Sequence, residues 1–224
     1  MPVEIHPLPL GMCNCYLVKQ EGLVLVDAGG PNQGQKLLKK LKDLSIDPKD
    51  ISLLLLTHAH WDHIGSANEI KELTDCQVAI NHREKDVVEK ALKPSPPGTN
   101  LLGKIFAIVM KAFIPFVSFP GTPVDLALED EDFSLEPYGI QGRVIHTPGH
   151  SSGSSSLLLD TGDAFVGDLA MNSFPMRTGA GLPIFAEDIS AVKESWRRLL
   201  SGGAKHIYPA HGTPFKADVL EKSL

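Results

Sequence analysis

The stretch LLLLTHAHWDHIGS at residues 53–66 constrains this chain more than any other part of it. Its leucines end an apolar run of strand length, which is typical of a strand covered on both faces. His58 and His60 follow at the end of that strand, and their spacing of two residues points both imidazoles to the same side. Asp62 and His63 come where the chain is predicted to turn into a helix, so they can face the same cavity from another direction. Nitrogen and oxygen ligands converging from one short loop predict a metal site.

The residues alone leave three origins open for this motif: a structural zinc site, a catalytic metal centre, and histidines that only pack or cap. The chain has 224 residues, of which 42% are hydrophobic, and this suffices for one large domain with a buried core over residues 1–224. A metal is therefore not needed to hold a chain of this size together. The convergence of several ligand types on one loop disfavours chance.

The composition excludes some partners and compartments. A formal net charge of −6 and the absence of any basic run of five or more residues argue against nucleic-acid binding. The first eleven residues lack a basic leader before an apolar core, so no secretory signal is predicted. Cys13, Cys15 and Cys76 form an odd set without a disulfide framework, and we interpret them as packing residues. These features predict a cytoplasmic protein.

Apolar periodicity predicts strands and helices along most of the chain. Strands are predicted at residues 15–18, 23–26, 51–56, 77–80, 143–145, 154–159, 164–166 and 206–208. Helices are predicted at residues 34–44, from about residue 62 to residue 73, at 82–92, and after Asp188, a candidate N-cap. Runs of strands with helices at their ends indicate packed sheets with helices outside them.

Residues 93–123 differ in character from the rest of the chain. Fourteen of the nineteen residues at 101–119 are apolar, but Lys104, Lys111 and Pro115 interrupt the run well short of the ~20 residues that span a membrane. No stable membrane span is therefore expected. We interpret the segment as a helix packed on the body, or as an insertion that forms a lid, a pocket wall or a subunit contact in a homodimer.

Other histidines and aspartates follow predicted strands beside glycines, where backbones can approach closely. These are His146 and His150 in HTPGHS, Asp168 after Gly167, and His211 in PAHG. His6, His82, His146 and His206 lie in or beside other predicted elements, and packing or hydrogen bonding is the expected role of these four.

Five motifs together resemble the metallo-β-lactamase-fold hydrolases. They are VDAGG with Asp27, THAHWDH at 57–63, HTPGHSSGS at 146–154, VGDLA at 166–170 and PAHG at 209–212. The resemblance covers nearly the whole chain in the family's order. It implies an α+β fold, a four-layer αββα sandwich with metals at one edge of its two sheets.

The resemblance also implies how the ligands are shared between two metal ions. One ion would be bound by His58, His60 and His150, the other by Asp62, His63 and His211, with Asp168 bridging them. Asp27 would orient a ligand from behind. Zinc is the first choice, with iron or manganese as alternatives, because histidine and aspartate accept all three.

A charge count supports a reactive centre. Two divalent ions with two aspartates, a bridging hydroxide and five neutral imidazoles leave a net charge of about +1, so the centre stays Lewis acidic. The hydroxide is expected to attack a carbonyl of the substrate. Asp62 is expected to act as the catalytic group that takes the proton of the attacking water.

The substrate class is narrowed by departures from known branches. The chain lacks the cysteine ligand typical of true β-lactamases, and Leu-Ala-Met-Asn follows Asp168 where lactonases carry a tyrosine. Only Arg177 stands near the place where glyoxalase II-like enzymes hold glutathione. We expect a hydrolase of the glyoxalase II-like or lactonase-like branch, subfamily unassigned, that acts on a small ester, thioester or lactone with an apolar part. A phosphodiesterase and a non-catalytic metal-binding or regulatory protein are the alternatives.

Overall fold

A computed structural model describes residues 2–173, 177 and 179–224. Twelve named strands in these residues form two six-stranded mixed sheets. The first sheet runs in sequence order through β1 Glu4–Leu10, β2 Cys13–Lys19, β3 Leu23–Val26, β4 Leu53–Leu55, β5 Gln77–Asn81 and β6 Leu126–Leu128. The second has the order β12-β11-β10-β9-β8-β7, with β7 Phe133–Ser134, β8 Gly142–His146, β9 Ser155–Leu159, β10 Asp163–Gly167, β11 His206–Pro209 and β12 Phe215–Lys216.

Parallel pairing occurs in both sheets and brings strand ends to a common edge. In the first sheet the pairs β3–β4, β4–β5 and β5–β6 are parallel, and in the second sheet the pair β10–β11 is parallel. The remaining pairs are antiparallel. The loops that follow β4, β5, β10 and β11 can therefore meet above the sandwich.

Seven α-helices accompany the sheets within the described residues. They are α1 Gly34–Asp43, α2 Trp61–Ile64, α3 Ala67–Thr74, α4 Lys85–Glu89, α5 Leu101–Phe113, α6 Ile189–Ser201 and α7 Asp218–Glu221. Asp188 caps α6 as predicted, because its carboxylate accepts hydrogen bonds from the amides of Ser190 (2.7 Å) and Ala191 (3.1 Å). Every helix in the described residues falls short of the length and apolarity that crossing a membrane requires.

Three buried layers follow from the alternation of side chains along the strands. Val24 and Leu55 of the first sheet and Leu157 of the second lie in the layer between the sheets. Leu25 and Leu54 point the other way and pack beneath α1 and α3. The side of the second sheet that points away from the first sheet packs against α6 in the same manner. The predicted α+β fold, a four-layer αββα sandwich, is confirmed.

Two predicted helices are shorter than their sequence patterns indicate. The helix predicted from about residue 62 is divided into α2 and α3, because Ser66 Oγ donates to Gly30 O (2.5 Å) and accepts from Gln33 N (2.8 Å). A Cβ atom at Gly65 would lie 2.5 Å from Pro31 N, so the break also brings two backbones into close approach. The helix predicted at 82–92 is a 3₁₀ turn followed by α4, which ends at Glu89.

Candidate metal centre

All seven predicted ligands come together where the strands of both sheets end. Three groups of side chains have ligand atoms within 4.8 Å of one another: His58, His60 and His150; His58, His63 and Asp168; Asp62, His63 and His211. The loop after β4 supplies His58 and His60, and α2 directly after it supplies Asp62 and His63. The loops after β8, β10 and β11 supply one residue each. The first and third groups match the two ligand sets that the resemblance implies. We call His58, His60 and His150 the first set, and Asp62, His63 and His211 the second set.

Asp168 lies between the two sets. Its Oδ1 is 3.4 Å from both His63 Nε2 and His211 Nε2, and its Oδ2 is 3.7 Å from His150 Nε2. The backbone delivers it there through Gly167, which has a φ of +52° and leaves no room for a side chain, since a Cβ would lie 2.4 Å from Thr57 Oγ1. Each carboxylate oxygen thus faces a different set of imidazoles, as a bridging ligand requires.

The nitrogen that His58 turns toward the cluster carries no proton when the ring is neutral. Thr57 Oγ1 donates to the Asp27 carboxylate at 2.9–3.0 Å, so this oxygen accepts from His58 Nδ1 at 3.1 Å. Protonation at Nδ1 leaves the lone pair on His58 Nε2. That lone pair is the form of imidazole that binds a metal.

His63 and His150 are oriented in the same way by acceptors behind them. His63 Nδ1 donates to Asp27 Oδ2 (2.9 Å), and His150 Nδ1 donates to the carbonyl of Phe185 (2.9 Å). When these rings are neutral, their Nε2 atoms therefore face the cluster as lone pairs. The predicted orienting role of Asp27 agrees with its position behind His63, and through Thr57 it acts on His58 as well.

The polar atoms of the cluster are poorly satisfied by the protein alone. His63 Nε2 and Asp168 Oδ1 are buried among the described residues without a hydrogen-bond partner. His150 Nε2 lies 3.2 Å from His58 Nε2 and 2.9 Å from His60 Nδ1, so three imidazole nitrogens crowd one point. Buried polar atoms without a partner are costly unless something binds them. A cation fits this donor set, which consists of imidazole nitrogens and carboxylate oxygens.

The first set of histidines is electrically neutral. Burial lowers the pKa of His58, His60 and His150, and the pKa of His60 falls to about 3. Neighbouring imidazoles lower the pKa of His58 and His60 further. These three imidazoles are therefore uncharged at neutral pH, and each has one ring nitrogen with a lone pair that can bind a metal.

The second set attracts positive charge. Burial opposes protonation of His63 and His211, but the carboxylates around them outweigh it and raise the pKa of both, that of His63 to well above its usual value. Burial likewise opposes ionisation of Asp62 and Asp168, yet the imidazoles hold the pKa of Asp62 at about 2 and that of Asp168 well below its usual value. A site that binds protons this strongly also suits a divalent cation.

Glu84 is a buried carboxylate behind the cluster that the sequence patterns did not identify. Its Oε2 accepts from the amide of Ala59, which lies between two histidines of the first loop. Its Oε1 accepts from Ser151 Oγ, directly after His150, and from the amide of Gly153 (3.2 Å). One side chain therefore connects both loops that supply the first set. Its place just after β5, parallel to β4, was the signal available in the sequence.

The four histidines predicted to lie outside the cluster do so, since none of them belongs to the three groups found in the described part of the chain. His146 Nε2 hydrogen-bonds the carbonyl of Ser152 (2.9 Å), and His82 Nδ1 that of Leu128 (3.2 Å). His6 Nε2 lies 3.4 Å from Glu4 Oε2, and His206 Nδ1 lies 3.4 Å from Asp163 Oδ1.

A cavity of about 160 Å³ lies directly against the cluster. Five of the candidate ligands line it, namely His60, Asp62, His150, Asp168 and His211. The rest of its wall is apolar apart from Ser95, and consists of Met12, Trp61, Pro94, Pro96, Phe106, Ala107, Met110, Ile114, Met171 and Phe185. No lysine or arginine lines the cavity within the described residues.

Helix α5 supplies a large part of this apolar wall, in the segment predicted to be a lid, a pocket wall or a subunit contact. Asn100 caps it by accepting from the amide of Gly103 (2.8 Å). The residues before it are joined to the segment that holds His150, because Thr99 N donates to Ile184 O (2.8 Å) next to Phe185. The start of α5 and His150 are thus held by neighbouring backbone carbonyls, those of Ile184 and Phe185.

Comparison with known proteins gives a family match over most of the chain. The family model described as the metallo-beta-lactamase superfamily matches residues 8–211, which confirms the resemblance inferred from the motifs. YflN of Bacillus subtilis, a probable metallo-hydrolase, is 26% identical over 97% of this chain and 89% of its own length. GloC of Haemophilus influenzae, a hydroxyacylglutathione hydrolase, is 26% identical over 78% of this chain and 77% of its own.

A solved structure shares the fold. The crystal structure of BLEG-1, a B3 metallo-beta-lactamase, superposes with a TM-score of 0.72 and covers 99% of this chain and 97% of its own. The two sequences are 22% identical, so this likeness concerns the fold.

Proposed function

The chain belongs to the metallo-beta-lactamase superfamily, and we propose that it is a dinuclear metallo-hydrolase of small esters, thioesters or lactones with an apolar part. His58, His60 and His150 would hold one divalent cation, and Asp62, His63 and His211 the other, with Asp168 shared. Zinc is the cation we propose, and iron or manganese suit the same ligands. Cations bound there would polarise a carbonyl and activate water near neutral pH.

The residues of the chain contribute orientation and proton transfer. Asp27 and the Phe185 carbonyl fix the ring tautomers, so the donor atoms need no rearrangement when a cation binds. Asp62 lines the cavity and stays ionised, since its pKa is held at about 2. We propose that it receives the proton released as water adds to the substrate carbonyl.

The observation that carries the substrate class is the apolar wall beside the candidate ligands. A cavity without a cationic side chain in its described lining favours an uncharged acyl group over a phosphodiester or a glutathione carboxylate. Arg177 offers no such partner, because its guanidinium donates to the carbonyls of Gly179 (3.0 Å) and Leu182 (3.1 Å).

The test is a series of p-nitrophenyl esters and acyl thioesters with acyl chains from acetyl to octanoyl, assayed with zinc-loaded protein. We expect kcat/KM to rise with chain length by up to about fourfold per methylene, because each buried methylene contributes ~0.8 kcal/mol. Equal turnover of acetyl and octanoyl substrates would contradict the apolar assignment. Preference for bis(p-nitrophenyl) phosphate would favour a phosphodiesterase, and no turnover with full metal a non-catalytic role.

We place the protein in a reducing compartment such as the cytoplasm. Cys13, Cys15 and Cys76 are buried and free. In the cytosol, glutathione and thioredoxin keep such thiols reduced. We propose no nucleic-acid partner, in keeping with the net charge of −6.

A further inference from the structure

The outward side of α5 concentrates exposed apolar side chains. Of the ten large hydrophobic residues exposed in the described part of the chain, seven lie within residues 101–116. These seven define the outer face: Leu101, Leu102, Ile105, Ile108, Val109, Phe113 and Phe116. Clusters of this kind mark interaction sites on a protein surface, whereas single exposed hydrophobic residues do not.

The inner side of the same helix is already used. Phe106, Ala107 and Met110 line the cavity, and Gly103 is buried against Ile184. Folding and the cavity therefore account for one side of α5 and leave the outer face without a function. A helix that is apolar on nearly all sides is typical of one covered on all sides.

The charge around the outer face indicates what covers it. Residues 91–124 contain three lysines and neither aspartate nor glutamate, although the whole chain carries a net charge of −6. Lys104 and Lys111 are exposed, and within the described residues neither forms an ion pair. They lie seven residues apart and so share one side of the helix, next to the outer face.

We propose that the outer face of α5 docks on an anionic lipid surface. Its aliphatic and phenyl side chains would enter the boundary between headgroups and acyl chains, while Lys104 and Lys111 extend toward the lipid phosphates. An apolar helix face beside basic residues is the composition that binds such surfaces.

A second copy of the chain fits the outer face less well. A two-fold contact places the same patch on both subunits, so the lysines of both would approach one another. The segment offers no carboxylate to pair with them. An anionic leaflet supplies the opposite charge that a second copy lacks.

The test is co-flotation of the full chain with vesicles of phosphatidylcholine alone and of phosphatidylcholine with about a quarter phosphatidylserine. We expect binding to the anionic vesicles at least about tenfold tighter than to the neutral ones, and weaker binding as salt is raised. The readout is independent of hydrolysis, so it stands or falls separately from the proposed function.

Two pairs of variants identify the surface. Leu101→Asn/Ile108→Asn/Phe116→Asn changes exposed side chains that do not line the cavity, and Leu92→Asn/Leu224→Asn is the control. Lys104→Glu/Lys111→Glu is matched by Lys39→Glu/Lys42→Glu on α1, which alters the net charge equally. We expect the first variant of each pair to lose vesicle binding by about tenfold or more, with the controls and the hydrolysis of a soluble ester unchanged.

Other results overturn the proposal. Absence of vesicle binding, or binding that the outer-face variant leaves intact, would contradict docking on lipid. A dimer in light scattering that dissociates in the outer-face variant, together with no vesicle binding, would assign the face to a second copy instead.

Discussion

Asp27 determines the orientation of two candidate ligands with one carboxylate. It accepts hydrogen bonds from the amide and hydroxyl of Thr57 and from His63 Nδ1. Its backbone has a φ of +63°, a region that aspartate tolerates better than most residues. The turn after β3 therefore points a buried carboxylate at the back of the cluster. The same residue is also the strongest reason that His63 attracts a proton in the absence of metal.

Glu84 makes a testable prediction about how the first ligand set is held. Glu84→Gln keeps the volume of the side chain but replaces one accepting oxygen by an amide donor, which would face Ala59 N or Ser151 Oγ. We expect the free energy of unfolding to fall by about 1–3 kcal/mol. Zinc affinity should fall by about tenfold or more, because the two ligand loops lose their common partner.

Urea unfolding and zinc titration of purified protein measure the two effects of Glu84→Gln. Asp86→Asn is the matched control, since Asp86 is exposed and its ion pair with Lys90 lies on the surface. Unchanged zinc affinity in Glu84→Gln would show that Glu84 does not position the ligands.

The opposite pKa shifts of the two ligand sets predict that acid removes their metals in sequence. His63 and His211 have raised pKa values, so on lowering the pH protons begin to compete with metal there above the ordinary histidine pKa of ~6.5. His58, His60 and His150 have lowered pKa values and accept protons only at more acidic pH. The affinity of the second set for metal should therefore fall first.

Equilibrium dialysis against buffered zinc between pH 8 and pH 5 measures this order. We expect the metal content to fall in two steps, with one ion per chain retained at intermediate pH. His63→Ala should remove the step at higher pH. Loss of both ions in a single step would contradict the assignment, and so would a His63→Ala variant that keeps the step at higher pH.

At the scale of elements, α5 has two sides with different roles. Met110 lines the cavity, while the adjacent Val109 is exposed on the other side. We expect Met110→Gln to lower kcat/KM for octanoyl substrates by about tenfold and to leave acetyl substrates nearly unchanged, because a polar group then faces the acyl chain. Val109→Gln is the matched control. A steady-state comparison of both chain lengths checks this, and equal losses for both substrates would contradict it.

Element prediction from sequence succeeded where periodicity and burial agree. The helix after Asp188 is found where its pattern places it, and the strand predicted at residues 51–56 is found at Leu53–Leu55. β1 was missed because Pro7 and Pro9 interrupt its pattern, and these prolines are tolerated only because β1 is an edge strand. The division between α2 and α3 depends on hydrogen bonds from Ser66 to a distant loop, which no local pattern encodes.

At the scale of the whole molecule, the candidate ligands could be chosen from sequence because each follows a strand and belongs to a motif. What the motifs could not reveal is the surrounding support. Glu84 contacts Gly153, and Thr57 contacts Asp27, across loops that are far apart in the chain. The Phe185 carbonyl is a backbone group without any sequence signal. The two sheets bring these groups together, so they become visible only in the folded protein.

The central claim is that this sandwich holds two metal ions that share Asp168. Its most direct test is the zinc content per chain at saturation and neutral pH, measured by elemental analysis on the full chain and on Asp168→Asn. We predict two zinc ions per chain in the unaltered protein, and in the variant the loss of at least one ion together with hydrolytic activity. Saturation of the unaltered protein at one zinc per chain, or two ions and full activity in Asp168→Asn, would contradict it.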